Sequence, residues 1–304
     1  MAQDIWNILL GDYPDHFQIV HAVGCVGMHL RALLDGRRTL ADIWPAHVAP
    51  PTLLRQLLGS DLRLRIGAVL REQVDVVLRA LPEGRRIGIV EISAGPPAVA
   101  AELCRRLDFD RADFSFVSSE TGSLEDARRL QERFPSMSVT ALDAEPSGLG
   151  SRQLAIVTLD FCCLRTALRA VDYARAQLAA GGTLIIVGHP PARWLDFLFG
   201  GGTDWWAGQD PESPLTAMQP ADFWQQRLAQ IGLSRLRLHA FTERPTAGAY
   251  LLLAEASEGA KIALHVPAIV RNWLILAEPS GYSARLAGRL SKLLQARGDR
   301  KSVV

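Results

Sequence analysis

Cysteine is scarce in this chain. Four residues in 304 stand at positions 25, 104, 162 and 163, with no CxxC spacing and no paired framework. That pattern excludes a disulfide scaffold, and the adjacent Cys162-Cys163 is unsuited to a simple disulfide, so reduced thiols in a cytoplasmic protein are expected. An excess of one charge is lacking too. The 33 basic residues meet 32 acidic ones, for a net charge of +1, which argues against a nucleic-acid or polyanion surface. No apolar run reaches the length of a membrane span, and the N-terminus has no basic-then-apolar signal pattern, so no membrane association is expected. There is no GxSxG elbow and no phosphate-binding loop. No His/Cys/Asp cluster has metal-ligand spacing; Asp204 and Asp210 stand without one.

What is present is organised around Arg86–Ala100, RIGIVEISAGPPAVA. A short apolar run (Ile87, Ile89, Val90, Ile92) carries Glu91 near its end and is followed by the small-residue turn Ser93-Ala94-Gly95 and an amphipathic stretch, Ala98–Leu107. Strand, tight turn and helix is the way an open α/β sheet offers a ligand site at the carboxyl end of its first strand. Here the turn is poor in glycine and is followed by Pro96-Pro97, which lack two N–H donors and have fixed φ.

Before that stretch, residues 1–85 read as helical. Apolar stripes run through Ile5, Trp6, Leu9 and Leu10, through Ile19, Val20, Val23 and Val26, and through Leu30, Leu33 and Leu34 before the breaker Asp35-Gly36. Residues 52–80 give a long periodic pattern, two helices broken near Gly59-Ser60. The segment is expected to cap the α/β core, with or without shaping a substrate channel. Arg85-Arg86 and Arg105-Arg106 read as solvated helix ends.

From residue 86 the pattern alternates strand and helix, the signature of a parallel sheet. Strands are expected at 87–92, 113–118, 138–142, 154–159 and 183–187, with helices at 97–107, 123–134 and 166–179. Ala180-Gly181-Gly182 reads as a helix stop. A helix over Pro220–Ile231 and two strands at 234–241 and 248–255 close the core, an ending typical of the methyltransferase variant of the doubly wound fold.

Residues 1–258 resemble the C-methyltransferase domain of type I modular polyketide synthases and of related reducing synthases. The resemblance rests on GMHLRALLDGRRTLADIWP (Gly27–Pro45), on AQLAAGGTLIIVG (Ala176–Gly188), on PARWLDFLFGGGTDWW (Pro191–Trp206) and on PLTAMQPADFWQQRLAQIGL (Pro214–Leu233). It implies an α/β, S-adenosylmethionine-methyltransferase-like (Rossmann-like) doubly wound sheet at 86–258 with an N-terminal helical cap at 1–85. Trp205-Trp206, Phe197 and Phe199 then read as an aromatic cage or as an apolar lid. Residues 259–304 form a linker plus a tail, Asn272–Gly298, of apolar strand, Pro-Ser-Gly turn and a helix bearing Leu286, Leu290, Leu293 and Leu294. This tail resembles the opening βα unit of a structural ketoreductase subdomain. One such unit cannot bury both faces of its strand, so the strand is expected to join another sheet or to belong to an excised fragment. Its turn lacks the GxGxxG spacing, which argues for scaffolding and against cofactor binding there.

The resemblance also places site residues. Cofactor-binding positions fall on Glu91, Ser93, Gly95, Ser118 and Asp143. The family's first loop glycine is Ser93 here, and its ribose-binding acid is Ser118, which cannot make the bidentate, charge-assisted pair of a carboxylate. Glu120, beyond Ser119, is a displaced substitute. Asp143 matches an adenine-contacting acid and reads equally as an exposed loop aspartate. The family's base histidine falls on Cys163 and its orienting glutamate on Gly188. His189 is either a displaced base or a structural loop histidine. Loss of a general base costs about 10²–10⁴-fold in rate. The expectation is a pseudo-methyltransferase kept for architecture, beside neighbouring ketoreductase and dehydratase domains and an acyl carrier protein. The alternative is an active S-adenosylmethionine-dependent enzyme methylating the α-carbon of a carrier-bound β-ketoacyl thioester. S-adenosylmethionine is the implied cofactor, if any.

Overall fold

The computed structural model describes residues 2–14, 17–43, 60–80, 85–144, 149–161, 163–201, 205–206, 216–241, 249–257, 272–275 and 300–303. It divides into two units, Met1–Ala260 and Lys261–Val304. In the first, helices α1 (Ala2–Asp12), α2 (Phe17–Leu34) and α3 (Ser60–Ala80) precede the sheet. The sheet then alternates with helices: β1 (Ile87–Ile92), α4 (Ala98–Cys104), β2 (Ala112–Ser118), α5 (Thr121–Arg133), β3 (Met137–Ala141), β4 (Arg152–Thr158), α6 (Leu164–Gln177) and β5 (Leu178–Gly188). Helices α7 (Arg193–Phe199) and α8 (Ala221–Gln230) and the hairpin β6 (Leu233–Ala240) and β7 (Tyr250–Ala256) complete it.

Seven strands form one sheet in the order β3-β2-β1-β4-β5-β7-β6, parallel except for β7, which runs antiparallel to both β5 and β6. The strand sequences dictate two apolar faces because successive side chains alternate. Ile87, Ile89, Phe114, Phe116, Leu154 and Ile156 turn one way, onto Ile66, Leu70 and Val74 of α3 and Ala100 and Leu103 of α4. Val90, Ile92, Val117, Ala155 and Val157 turn the other way, onto Ala167, Ala170 and Val171 of α6 and Trp224 and Leu228 of α8. A third cluster joins Ala22 and Val26 of α2 to Leu195, Leu198 and Phe199 of α7, with Trp205 and Met218.

Several expectations shift. The second helix of the 52–80 pattern does start at Ser60, while residues 52–59 lie outside the described residues. The two stripes at 19–26 and 30–34 belong to the single helix α2. The segment after β5, expected as a loop, contains α7. The glycine pair is not a helix stop: α6 ends at Gln177 and β5 begins at Leu178. Arg152 pairs with Leu178 and Leu154 with Thr183, so residues 179–182 bulge out of the strand. Gly181 sits there at φ 72°, and a Cβ on Gly182 would stand 2.9 Å from the Arg152 carbonyl oxygen. Arg86 is no helix end. It precedes β1, donates to the Phe109 and Ala112 carbonyls (2.8 and 3.1 Å) and pairs with Asp113.

In the second unit, β8 (Asn272–Ile275) pairs in parallel with β9 (Arg300–Val303), a strand the periodicity did not mark. The expected tail helix around Leu286–Leu294 lies outside the described residues. No helix among the described residues is long and apolar enough to cross a membrane.

Candidate functional site

The strand order reverses between β1 and β4. At such a switch point the loops after the two strands diverge to opposite faces and leave a crevice beyond the carboxyl ends of the strands. The loop after β1 leads to α4 on one face and the loop after β4 leads to α6 on the other. Glu91, Ser93, Gly95, Ser118, Cys163, Gly188 and His189 all belong to the ends of β1, β2, β4 and β5 or to the residues next to them, so the topology brings these predicted positions to one edge of the sheet.

Asp160, two residues beyond β4, dominates that edge. Its Oδ1 accepts the Ala94 N–H at 2.8 Å, and its Oδ2 accepts the Gly95 N–H at 3.0 Å and the Ser93 hydroxyl at 2.9 Å. Asp160 is 3% exposed, and Ser93 and Ala94 are 0% and 1% exposed. A buried carboxylate is tolerated where donors surround it, and bonds to an ionised acceptor are the stronger kind. From the opposite side, Ser123 on α5 donates to the Ala94 carbonyl at 2.5 Å. Ser93 N–H also donates to Val117 of β2. The β1 loop is therefore laced to β2, α5 and the β4 loop at once. Pro97 N-caps the short helix α4 at φ −74°.

Glu91 is fully buried. It shares its face with Ile87 and Ile89, and its charge adds to burial in raising the Cys104 thiol, which is pushed up to about 12, with burial the larger cause. Ser118 is buried and its Oγ accepts the Glu120 N–H at 3.1 Å, so the hydroxyl at the ribose-acid position closes a local turn. Glu120 N-caps α5 without a side-chain capping bond, and its carboxylate accepts the Ser119 hydroxyl at 3.4 Å. The Asp143 side chain is 77% exposed and paired with Arg169 on α6.

At the base positions, Cys163 is half-buried and N-caps α6 in extended backbone. Gly188 ends β5 directly opposite Tyr250 of β7. A Cβ at Gly188 would lie 2.3 Å from Tyr250 Cζ and 2.4 Å from its hydroxyl oxygen, so the tyrosine ring takes up the space a side chain would need. Tyr250 is 5% exposed, its hydroxyl donates to the Gln219 carbonyl at 2.9 Å, and burial raises its pKa. His189, next to Gly188 in sequence, is half-buried.

The aromatic segment resolves as a lid rather than a cage. Trp205 is 1% exposed, stacks on Phe199 with centroids 5.2 Å apart and donates to Asp196 at 3.0 Å. Asp204 and Asp210 lie outside the described residues, among which no group of three or more His, Cys, Asp or Glu is placed to hold a metal ion.

Sequence reasoning passed over Asp160, Ser123 and Tyr250. Asp160 had a readable signal, an acid at the carboxyl end of a core strand. Tyr250 had none, because only the β5–β7 register sets it against Gly188.

No family model and no curated protein matches the chain. Solved structures do. The CurJ carbon methyltransferase superposes with a TM-score of 0.68 at 19% identity, covering 84% of this chain and 71% of that one. The C-methyltransferase domain of the citrinin polyketide synthase gives 0.67 at 19% identity over 84% and 69%. The trans-methyltransferase CalH, in complex with SAH, gives 0.64 at 18% identity over 84% and 73%. This chain has a methyltransferase-like α/β fold. At these identities the likeness reaches the α/β, Rossmann-like methyltransferase architecture with its helical cap, as the sequence implied.

Proposed function

We propose that this chain is a methyltransferase-fold domain of a polyketide or fatty-acid-synthase-like multienzyme that no longer catalyses methyl transfer and serves as architecture between catalytic neighbours. The likeness to carbon methyltransferases, one of them a polyketide synthase domain, supports the context. The single observation that carries loss of catalysis is Tyr250 filling the side-chain space of Gly188, where the resemblance requires the orienting glutamate. Cys163 in place of the base histidine agrees with it, since a thiol differs from imidazole in pKa and shape.

The residues at the crevice do not fit S-adenosylmethionine. The loop N–H groups that would face a ligand are bonded to Asp160, the ribose-acid position is a serine engaged in its own turn, and Asp143 is paired with Arg169. Accordingly no step is assigned through that group. Ketoreductase and dehydratase domains and an acyl carrier protein are the proposed neighbours, and the cytoplasm the proposed compartment.

Calorimetric titration with S-adenosylmethionine and with its demethylated product tests this, alongside an active carbon methyltransferase as control. No binding heat from protein shown to be folded by circular dichroism is expected. Tight, stoichiometric binding would overturn the reading. In that event Cys163→Ala and His189→Ala, assayed on a β-ketoacyl thioester, would locate the base of an active enzyme.

A further inference from the structure

We propose that Asp160 is a built-in anionic ligand of the β1 loop, and that the loop is a small-carboxylate site held shut by the chain's own side chain. The geometry is that of a ligand cradle. Two consecutive backbone N–H groups, Ala94 and Gly95, and the Ser93 hydroxyl converge on one carboxylate at 2.8–3.0 Å. Successive backbone N–H groups that point at one spot make an anion-binding concavity. Every one of the three loop residues is buried, so in the intact protein the donors are shielded from bulk water and rely on the carboxylate. Ser123 fixes the Ala94 carbonyl from behind and holds the donors aimed inward. The carboxylate comes from the β4 loop, across the switch-point crevice, and thereby also ties together the two loops that would otherwise part there.

The inference rests on reading that crevice as closed, and it adds what closes it and what chemistry could replace the closure. Truncation of Asp160 to alanine deletes one carboxylate, the heavy atoms of formate. The vacancy is therefore matched in size and charge to formate, with three donors already oriented.

The test is thermal unfolding of wild type, Asp160→Ala and Asp160→Asn in chloride and in formate at equal ionic strength. Asp160→Ala is expected to lower Tm by about 5–15 °C, because buried donors lose a charged acceptor. Formate at about 1 M, against a dissociation constant of about 0.1 M, is expected to return roughly 2–3 °C beyond any shift seen in wild type. An unchanged Tm for Asp160→Ala, or a formate response equal to that of wild type, would sink the proposal. If Asp160→Ala does not fold, Asp160→Asn decides. The amide keeps an acceptor oxygen and a matching shape but no charge, so its Tm is expected below wild type, with amide exchange at Ala94 and Gly95 faster than in wild type. Exchange and Tm indistinguishable from wild type would reject the proposal. Binding of S-adenosylmethionine by wild type would end the non-catalytic reading and leave the formate result standing, so the two failures are separable.

Discussion

A single missing side chain decides much at the residue scale. Gly188 stands where the resemblance places an orienting glutamate, and Tyr250, its partner across the β5–β7 ladder, takes up the room a side chain would need. Any side chain added at Gly188 therefore meets the Tyr250 ring. Gly188→Ala is expected to destabilise by about 1–3 kcal/mol through overpacking against Tyr250, and Gly188→Glu by more, with no gain of methyl transfer. Tyr250→Phe is expected to cost about 1 kcal/mol by stranding the Gln219 carbonyl. Urea unfolding of the three variants checks the order. A Gly188→Ala protein as stable as wild type would show that the ring moves aside freely. Ser118 serves local backbone as a turn acceptor, while Cys163 occupies the N-cap position of α6 without a side-chain capping bond.

Among the elements, the lid built from α2, α7 and the Trp205-Trp206 segment has a core of its own. Trp205 is its centre, buried, stacked on Phe199 and bonded to Asp196. Trp206 is 37% exposed and donates to the Gly200 carbonyl at 2.6 Å. Trp205→Ala is expected to cost about 3–5 kcal/mol, against less than about 1.5 kcal/mol for Trp206→Ala. Equal effects in chemical denaturation would mean that the lid does not pack as a unit with the rest. The sequence displayed the α2 stripe and the aromatic run separately. That one covers the other depends on where β5 delivers the chain, which no local pattern encodes.

For the whole molecule, the buried ionisable groups set a direction with pH. Cys104, the last residue of α4, packs against the sheet with its thiol raised from the ordinary 9.0 to about 12, and burial also raises Tyr250 and Tyr173. In each case the fold favours the neutral form, while the unfolded chain ionises at the ordinary value. Stability from Cys104 is complete below pH 9 and declines as pH climbs from 9 toward 12, and that from the two tyrosines declines only above their ordinary value of 10.0. Urea midpoints measured from pH 8 to pH 10.5 are expected to fall, and Cys104→Ala to flatten the first part of that fall. A profile flat to pH 10.5 in wild type would contradict the burial argument.

The sequence by itself determined the architecture. Alternating apolar periods of two and of three to four residues fixed strands and helices in order, and the closing helix and two strands marked the methyltransferase variant of the sheet. Those signals are local, repeated and redundant, so small errors such as the misread glycine pair did not disturb the whole. It also displayed Ser93, Ser118, Cys163 and Gly188 at positions where the resemblance implies other residues. Only the tertiary structure decided what surrounds those positions. Asp160 reaches the β1 loop across a strand-order reversal, and Tyr250 meets Gly188 through antiparallel register with a strand 62 residues later in the chain. Contacts of that kind are set by how distant strands align, and a linear pattern of residues carries no measure of that alignment.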